Sequence, residues 1–318
     1  MIESGIHYDV SAQDYHADPL PHPSLSASIA KILIDHSPRH AWHAHPRLNP
    51  NHEADDGSAR LDLGSVCHRL ALGAGRDIEA IPFDSYRTKE AQARRDEARQ
   101  AGRIPVLQHD LDRANDMVDV LRRSIAAVEG AERALVVGQP EAVIAWDEGG
   151  VWCRSMVDWI DIEQRTLWDY KTVAGSVHPA AVGRRLFDMG YDLQACFYER
   201  GLHALQVIDQ GELKFRFICQ EIDPPYLVSI VELDQGAMII GRKKVAHAIG
   251  LWRRCIESGN WPGYPAMIAR VDMPPWVESS WLARELADEV IRDLGRDPFL
   301  NLSPWTPPRP APELIGAV

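Results

Sequence analysis

Three acidic residues and one lysine in the middle of the chain are spaced so that they could act together. Glu141, Asp158 and Asp169 lie in three consecutive segments rich in β-branched and aromatic residues, and Lys171 follows two positions later. If these segments pair as antiparallel strands, the three carboxylates converge at one end of a sheet. Like charges on strands ~4.8 Å apart destabilise a sheet unless a cation lies between them. The pattern therefore predicts a hard divalent cation held by oxygen ligands.

The turns that set this register can be read from the sequence. A turn at residues 147–150, which read Asp-Glu-Gly-Gly, puts Glu141 within about two positions of Asp158. A second turn, around residues 163–164, sets Asp158 opposite Asp169. We therefore expect the three acids to come from three neighbouring strands of one meander.

The position of the lysine suggests the chemistry. Side chains alternate across a strand, so Asp169 and Lys171 project from one face while Trp168 and Tyr170 project from the other. Carboxylates that hold Mg²⁺ activate a water molecule, and an ammonium beside them orients that water or stabilises the developing negative charge. This combination predicts phosphodiester hydrolysis. The alternative is that the acids are ordinary strand-end residues in surface salt bridges with Lys171 and Arg154.

The elements that position these residues predict a mixed α/β protein. Helical spacing and caps dominate the N-terminal third, and the period changes to that of strands after Glu141. Helices are predicted from Ser26 to Ser37-Pro38, from Pro38 onward, and near residues 63–72, 87–103, 111–128, 191–205, 235–257 and 281–294. Strands are predicted at residues 142–146, 151–160, 166–173, 213–220 and 226–233. Five prolines between residues 304 and 312 predict an irregular tail.

Bulk composition limits the partners. The net charge is −12, so any contact with nucleic acid must be local, and the basic groups at residues 87–103, 184–185, 242–244 and 253–254 are explained most simply as solvated helix faces. The five cysteines include no Cys-x-x-Cys pair, which predicts buried thiols and neither a zinc knuckle nor an iron–sulfur cluster. The histidines at 36, 40, 43, 45 and 52 are predicted to lie on the surface. No leader and no apolar stretch of ~18 residues is present, which predicts a cytoplasmic protein without a membrane segment.

The order of the motifs resembles the RecB-type branch of the PD-(D/E)XK nucleases. The motifs in chain order are Gly64-x-x-x-His68, Glu141, Asp158, Asp169-Tyr170-Lys171-Thr172 and Gln194-x-x-x-Tyr198. Within that branch the sequence is similar to the RecE-type exonucleases (exodeoxyribonuclease VIII) over roughly Tyr15 to Trp276. Further matching stretches are Ser26-Ala27-Ser28, Ser37-Pro38 and residues 190–195 and 261–264.

The resemblance assigns roles to individual residues and implies a restriction-endonuclease-like core with a central mixed sheet flanked by helices. It implies that Asp158, Asp169 and the Tyr170 carbonyl bind metal. It also implies that Glu141 and His68 complete or support the metal sites and that Lys171 is the catalytic lysine. Gln194 and Tyr198 are implied to contact substrate or to brace the site. Without the family, His68 would be interpreted as a hydrogen-bonded core histidine. Relatives often carry Arg-Pro before the second acid, whereas this chain has Met156-Val157. The phosphate contact that the Arg makes in relatives is therefore expected either to be absent or to be supplied elsewhere, with Arg154 as the candidate.

The function implied is that of an exonuclease that uses Mg²⁺, with Mn²⁺ as a substitute, on linear double-stranded DNA. Relatives degrade duplex DNA from an end in the 5′ to 3′ direction and leave single strand for a RecT-like annealing protein, a function that implies a phage or prophage origin. The family also implies a ring-shaped homo-oligomer. The alternatives are an endonuclease or repair nuclease on the same core, or a noncatalytic DNA-binding subunit. The implied domain covers residues 1–276, with a helical part at 1–135 and a nuclease core at 136–276, followed by a C-terminal helix and tail at 277–318.

Overall fold

The computed structural model describes residues 1–52 and 59–293 of the chain. It divides into two compact units, Met1–Tyr264 and Pro265–Val318. The predicted domain boundary at residue 276 stays a prediction, and the predicted proline-rich tail lies outside the described residues. None of the described helices is both long enough and apolar enough to span a membrane.

A mixed sheet forms the centre of the first unit. In the described part of the chain its strands follow the order β1-β5-β6-β7-β8-β9, and β2 pairs alongside β6. The pairs β7–β8 and β2–β6 are parallel, and the other neighbours are antiparallel. A separate parallel pair is formed by β3 and β4. The strands are β1 (Gly5–His7), β2 (Leu25–Ser26), β3 (Ile78–Ile81), β4 (Ile104–Leu107), β5 (Gln139–Asp147), β6 (Trp152–Asp161), β7 (Thr166–Val173), β8 (Lys214–Glu221) and β9 (Val228–Glu232).

Helices cover both faces of this sheet. Several begin as predicted, since the Ser26 side chain caps α2 and the Ser37 side chain caps α3, with Pro38 in its first turn. The helices are α1 (Ala12–His16), α2 (Ala27–Asp35), α3 (Pro38–Ala44), α4 (Ala59–Leu72), α5 (Lys89–Gln100), α6 (Gln108–Ala126), α7 (Pro179–Asp188), α8 (Tyr191–Ala204), α9 (Gln235–Ser258) and, in the second unit, α10 (Pro275–Asp293).

The three-stranded meander has the predicted register. In the first hairpin Asp147 pairs with Trp152, and in the second Asp161 pairs with Thr166. Strand β7 then continues into a crossover through α7 and α8, which returns the chain to β8 in parallel at its other side. Strand β7 therefore lies inside the sheet, covered by a strand on each edge.

Two apolar cores separate the helices into layers. One core packs α2, α3, α7, α8 and α9 against residues such as Leu167 and Phe217 of the sheet. The other packs α4, β4 and α6 against Trp168, Tyr170 and Ile218 on the opposite face. This α/β/α arrangement confirms the predicted fold class.

The structure also corrects some details of the prediction. Within the described residues of the N-terminal third, four short strands lie among the helices, and α7 was not predicted. His45 was predicted to lie on the surface with its neighbouring histidines, but it is wholly buried. Its ring can be buried because it bonds the Ser24 carbonyl oxygen at 3.0 Å and lies 3.4 Å from Asp18. All five cysteines are free and buried, as expected.

Candidate active site

Strands β5 and β6 bring Glu141 across from Asp158. Regular pairs lie on either side of these two residues, but the two acids are not themselves a ladder pair. Glu141 has a φ of +48°, which is uncommon for a residue with a side chain and is found disproportionately at functional sites. The hairpin thus places Glu141 opposite Asp158, as its turn predicted. The regular strand pairing is interrupted at these two residues.

Asp158 is fixed beside the next strand by a backbone contact. The β6–β7 ladder runs from the hairpin turn as far as the pair Trp159 and Trp168, and it stops there, one residue short of Asp158. Beyond it, Asp158 Oδ2 accepts a hydrogen bond from the Tyr170 backbone N–H at 2.8 Å. The carboxylate therefore takes the place of a ladder partner, and the two strands separate around it. This puts Asp158 next to Asp169, which precedes Tyr170 in the chain.

Asp169 is a buried carboxyl with one oxygen left over. Its side chain is 3% exposed, and Oδ1 accepts a hydrogen bond from Gln194 Nε2 at 2.8 Å. Oδ2 lies 2.7 Å from Lys171 Nζ but accepts no well-directed hydrogen bond from any described residue. Burial raises the pKa of Asp169 to about 6; the Lys171 charge opposes this, and the Asp158 charge adds to it. Such an oxygen is suited to a cation.

Lys171 projects from the same face of β7 as Asp169, as alternation required. Its Nζ lies 4.9 Å from the centre of the Tyr191 ring, a cation–π distance. Burial lowers the pKa of Lys171, but the charges of Asp169 and Asp158 outweigh burial and raise it above its usual range. At neutral pH this group is therefore an ammonium and acts as a donor, not as a base.

Helix α4 brings His68 to the opposite side of Asp158. His68 Nδ1 lies 3.6 Å from Asp158 Oδ2, and its ring centre is 5.0 Å from that of Tyr170. One turn earlier, a Cβ on Gly64 would lie only 3.2 Å from Thr172 Oγ1. The absence of a side chain at Gly64 lets α4 approach β7 closely enough for His68 to reach the acids.

The loop after α4 closes on Glu141. A Cβ on Gly75, which has a φ of +98°, would lie 2.8 Å from Glu141 Oε1. Burial raises the pKa of Glu141, the Asp158 charge raises it further, and Arg69 lowers it. Gly75 was not singled out in the sequence, where a glycine in a Gly-x-Gly loop carries no sign of a distant carboxylate.

Gln194 and Tyr198 lie one turn apart on α8 and face β7. Gln194 Nε2 donates to Asp169 Oδ1 at 2.8 Å and to the Tyr198 hydroxyl at 3.1 Å. Tyr198 is buried, and burial raises its pKa well above the usual range. Of the two roles considered, contact with substrate or bracing, this geometry favours bracing of Asp169. Tyr191, whose ring lies under the Lys171 amine, belongs to the matching stretch at residues 190–195, but the sequence assigned it no role.

Arg154 has a different position from the one expected. Its side chain is buried and donates to the Tyr15 carbonyl oxygen at 3.1 Å and to the Ser24 carbonyl and hydroxyl oxygens at 2.9 and 2.6 Å. It also forms an ion pair with Asp18 at 3.2 Å. Because its donors are used in holding the N-terminal segment to β6, this anchoring replaces the expected phosphate contact.

The acids fit a divalent cation by charge and by donor type. Burial raises the pKa of both Glu141 and Asp169, and the Asp158 charge adds to it at each, so Asp158 repels both other acids; Asp169 Oδ2 is buried without a directed donor. Among the described residues, no group of three or more His, Cys, Asp or Glu side chains is already arranged to hold an ion. Since like charges spread apart until a cation compensates them, binding would require the carboxylates to move closer. The Tyr170 carbonyl stays a predicted ligand.

Comparison with known proteins identifies the family and supports the fold. Residues 34–272 match the family model described as "PDDEXK-like domain of unknown function (DUF3799)". No curated protein matches the chain significantly. Among solved structures, the crystal structure of a protein described as "Putative exonuclease" from Eubacterium rectale superimposes with a TM-score of 0.55 at 13% identity, covering 84% of this chain and 96% of that chain. At this identity the likeness supports the fold.

Proposed function

Because the chain belongs to the family of PDDEXK-like domains of unknown function (DUF3799), and so to the PD-(D/E)XK superfamily, we propose that it is a Mg²⁺-dependent deoxyribonuclease. One observation supports this most strongly. The buried Asp169 lies beside Asp158, and its Oδ2, which accepts no directed hydrogen bond from a described residue, lies 2.7 Å from the Lys171 ammonium. A surface salt bridge between strand-end residues would not need this burial.

The residues that would hold the ion follow from the geometry. Asp158 and Asp169 are the principal ligands, Glu141 faces them from β5, and the Tyr170 carbonyl and His68 complete or support the site. When bound, Mg²⁺ polarises the phosphate and lowers the pKa of a water molecule. Gln194 donates a hydrogen bond to one oxygen of the Asp169 carboxylate, which would leave the other oxygen to bind the ion.

Lys171 supplies the positive charge that the protein itself contributes. As an ammonium it donates to a phosphate oxygen and stabilises the negative charge that grows during attack, or it orients the attacking water. Tyr191 lies against the amine and limits its movement, so that its charge stays directed at the acids. Lys171 is not itself proposed as a metal ligand, so its loss would remove this positive charge and none of the carboxylates.

The finer activity that we propose is digestion of linear double-stranded DNA from an end, in the 5′ to 3′ direction, by a RecE-type homo-oligomer that supplies single strand to a RecT-like annealing protein. Its support is the order of motifs from Gly64 to Tyr264 and the description of the structural relative as a "Putative exonuclease". A ring would enclose the duplex and offset the net charge of −12 by presenting its basic groups locally.

Digestion of matched DNA substrates tests this proposal. End-labelled linear duplex and closed circular duplex are incubated with the protein in Mg²⁺ and, in parallel, in EDTA. We expect mononucleotides from the linear duplex in Mg²⁺ alone, released first from the 5′-labelled end. Cutting of the closed circle would replace the exonuclease with an endonuclease, and binding without any cutting in Mg²⁺ or Mn²⁺ would leave a noncatalytic DNA-binding subunit.

A further inference from the structure

A cavity of about 290 Å³ lies beside the candidate active site, between the end of β7 and helices α7 and α8. Tyr191, Thr172 and Cys219 form its wall on the side of the sheet, and Arg185 and Met189 form part of the opposite wall. The remaining lining is mostly aliphatic. The cavity thus combines an apolar surface with a single cationic side chain.

The wall on the side of the sheet is shared with Lys171. Thr172 follows Lys171 in β7, Cys219 is its ladder partner in β8, and the Tyr191 ring lies under its amine at 4.9 Å. Arg185 lines the same cavity as Cys219 and Tyr191, and its charge lowers the pKa of Cys219 against the dominant raising effect of burial. The guanidinium and the lysine amine therefore face neighbouring parts of one surface.

The Arg185 side chain lines this cavity without a carboxylate partner among the described residues. Its guanidinium makes no hydrogen bond or ion pair with any residue that the structure describes, and it borders the loop at Gly175, where a Cβ would lie 3.7 Å from Nη2. Arg242 and Lys244, in contrast, are paired with carboxylates at 2.7 and 2.6 Å. A part-buried arginine without an anion, in a concave site, is arranged to bind one from solution.

We propose that the Arg185 cavity binds a DNA backbone phosphate next to the one that is cleaved beside Lys171. This rests on the proposed nuclease function and adds a substrate-positioning residue to it. A guanidinium donates two parallel hydrogen bonds to a phosphate, and the aliphatic wall is suited to the adjoining deoxyribose. Contact with the neighbouring phosphate would fix the register of the strand relative to the metal ligands.

Arg184 provides a matched control on the same helix. Its side chain is 91% exposed and lies 3.7 Å from Asp188, away from the cavity lining. Arg184→Gln and Arg185→Gln change the net charge equally, and Arg185→Lys keeps the charge while removing the fork of donors. Neither glutamine substitution removes a buried contact, so we expect all three variants to fold with the same unfolding midpoint as the starting protein.

Binding is measured apart from cleavage, in the Lys171→Ala background, by anisotropy of a labelled duplex at several salt concentrations. We expect Arg185→Gln to weaken binding about tenfold and to reduce the slope of log affinity against log salt by about one. Arg184→Gln should change affinity less than twofold, and Arg185→Lys should fall between them. Duplexes with 5′-phosphate and 5′-hydroxyl ends separate two sources of the anion. A loss of affinity on both ends supports a backbone phosphate, whereas a loss confined to phosphorylated ends would replace it with the terminal phosphate.

The outcomes separate this inference from the proposed function. Equal effects of Arg184→Gln and Arg185→Gln, with cleavage by the unmodified protein intact, would overturn the phosphate cavity and leave the nuclease standing. An Arg185-dependent loss of binding in a protein that never cleaves would support the cavity and overturn the nuclease. Failure of the unmodified protein to bind duplex DNA at low salt would overturn both.

Discussion

Replacing Asp169 by asparagine should stabilise the metal-free protein while destroying its activity. Burial and the Asp158 charge raise the pKa of Asp169 to about 6 from an ordinary value of 3.8, despite the opposing Lys171 charge. Each tenfold change in an equilibrium constant is worth about 1.4 kcal/mol, so the charged form costs the folded state roughly 3 kcal/mol at neutral pH. The neutral amide avoids this cost. Gln194 can turn its own amide over and keep a hydrogen bond to the new side chain.

The sign of the pH dependence follows from the raised pKa. The folded protein binds a proton at Asp169 more tightly than the unfolded chain does, so this carboxyl reduces stability as pH rises from about 4 to about 6. Below that window the aspartate is protonated in both states and resembles the amide. The difference in unfolding free energy between Asp169→Asn and the unmodified protein should therefore be near zero at pH 4 and reach at most about 3 kcal/mol above pH 7.

Urea unfolding in EDTA at pH 4, 5.5 and 7.5 measures this difference directly. Titrating groups distant from Asp169 are common to both proteins and cancel in the comparison, whereas Asp158 and Lys171 interact with it directly. Addition of Mg²⁺ should raise the urea midpoint of the unmodified protein and leave that of Asp169→Asn unchanged, because a ligand of the ion has been removed. An asparagine variant that is equally stable or less stable at pH 7.5 in EDTA would refute the reasoning that the site stores uncompensated negative charge.

Three further substitutions test other parts of the structure. Lys171→Ala should lower kcat at least about 100-fold while the Mg²⁺-induced shift in the unfolding midpoint persists; a variant that retains full activity would exclude the lysine from the chemistry. Gly75→Ala, at a φ of +98° and 2.8 Å from Glu141 Oε1, should cost about 1 kcal/mol in urea unfolding and raise the Mg²⁺ concentration needed for half-maximal cleavage. Arg154→Ala should destabilise folding by up to about 3–5 kcal/mol, since it removes the nearest of the three basic partners of the buried Asp18; a folded, stable variant with only a raised KM would restore the phosphate role.

The meander and its acids were predictable because local rules determine them. Turn residues at 147–150 and 163–164 fixed two hairpin registers, and period-two alternation then placed Asp169 and Lys171 on one face. These features depend on neighbours within about 30 residues. The helix caps at Ser26 and Ser37 were predictable for the same reason.

The features that were missed depend on contacts between distant segments. Strands of two to four residues, such as β1 and β2, carry too few positions to show alternation, and they form because β5 and β6 offer them an edge or a neighbour. Arg154 looks like a surface cation in sequence, but its burial depends on the segment around Asp18 and Ser24, more than 120 residues earlier. The same contacts bury His45, whose spacing to the other histidines had suggested only an exposed stretch.

The candidate site combines features that the local sequence determines with features that depend on packing between distant segments. Its ligand types and their order come from the sequence, whereas its electrostatic state comes from packing. Nothing in the motif Asp-x-Lys states that Asp169 is buried to 3% exposure or that Gln194 occupies one of its oxygens. The left-handed backbone at Glu141 is equally invisible until β5 is paired with β6.

The anomalous scattering of Mn²⁺ in a crystal of the intact protein measures the shared ion most directly. Our account predicts a peak about 2.1 Å from carboxylate oxygens of both Asp158 and Asp169, with Glu141 drawn toward it and the Lys171 amine alongside. The peak should vanish in Asp169→Asn crystals soaked identically. Carboxylates that stay apart at a Mn²⁺ concentration supporting cleavage, or a peak bound elsewhere on the chain, would contradict the claim that these three strands build one metal centre.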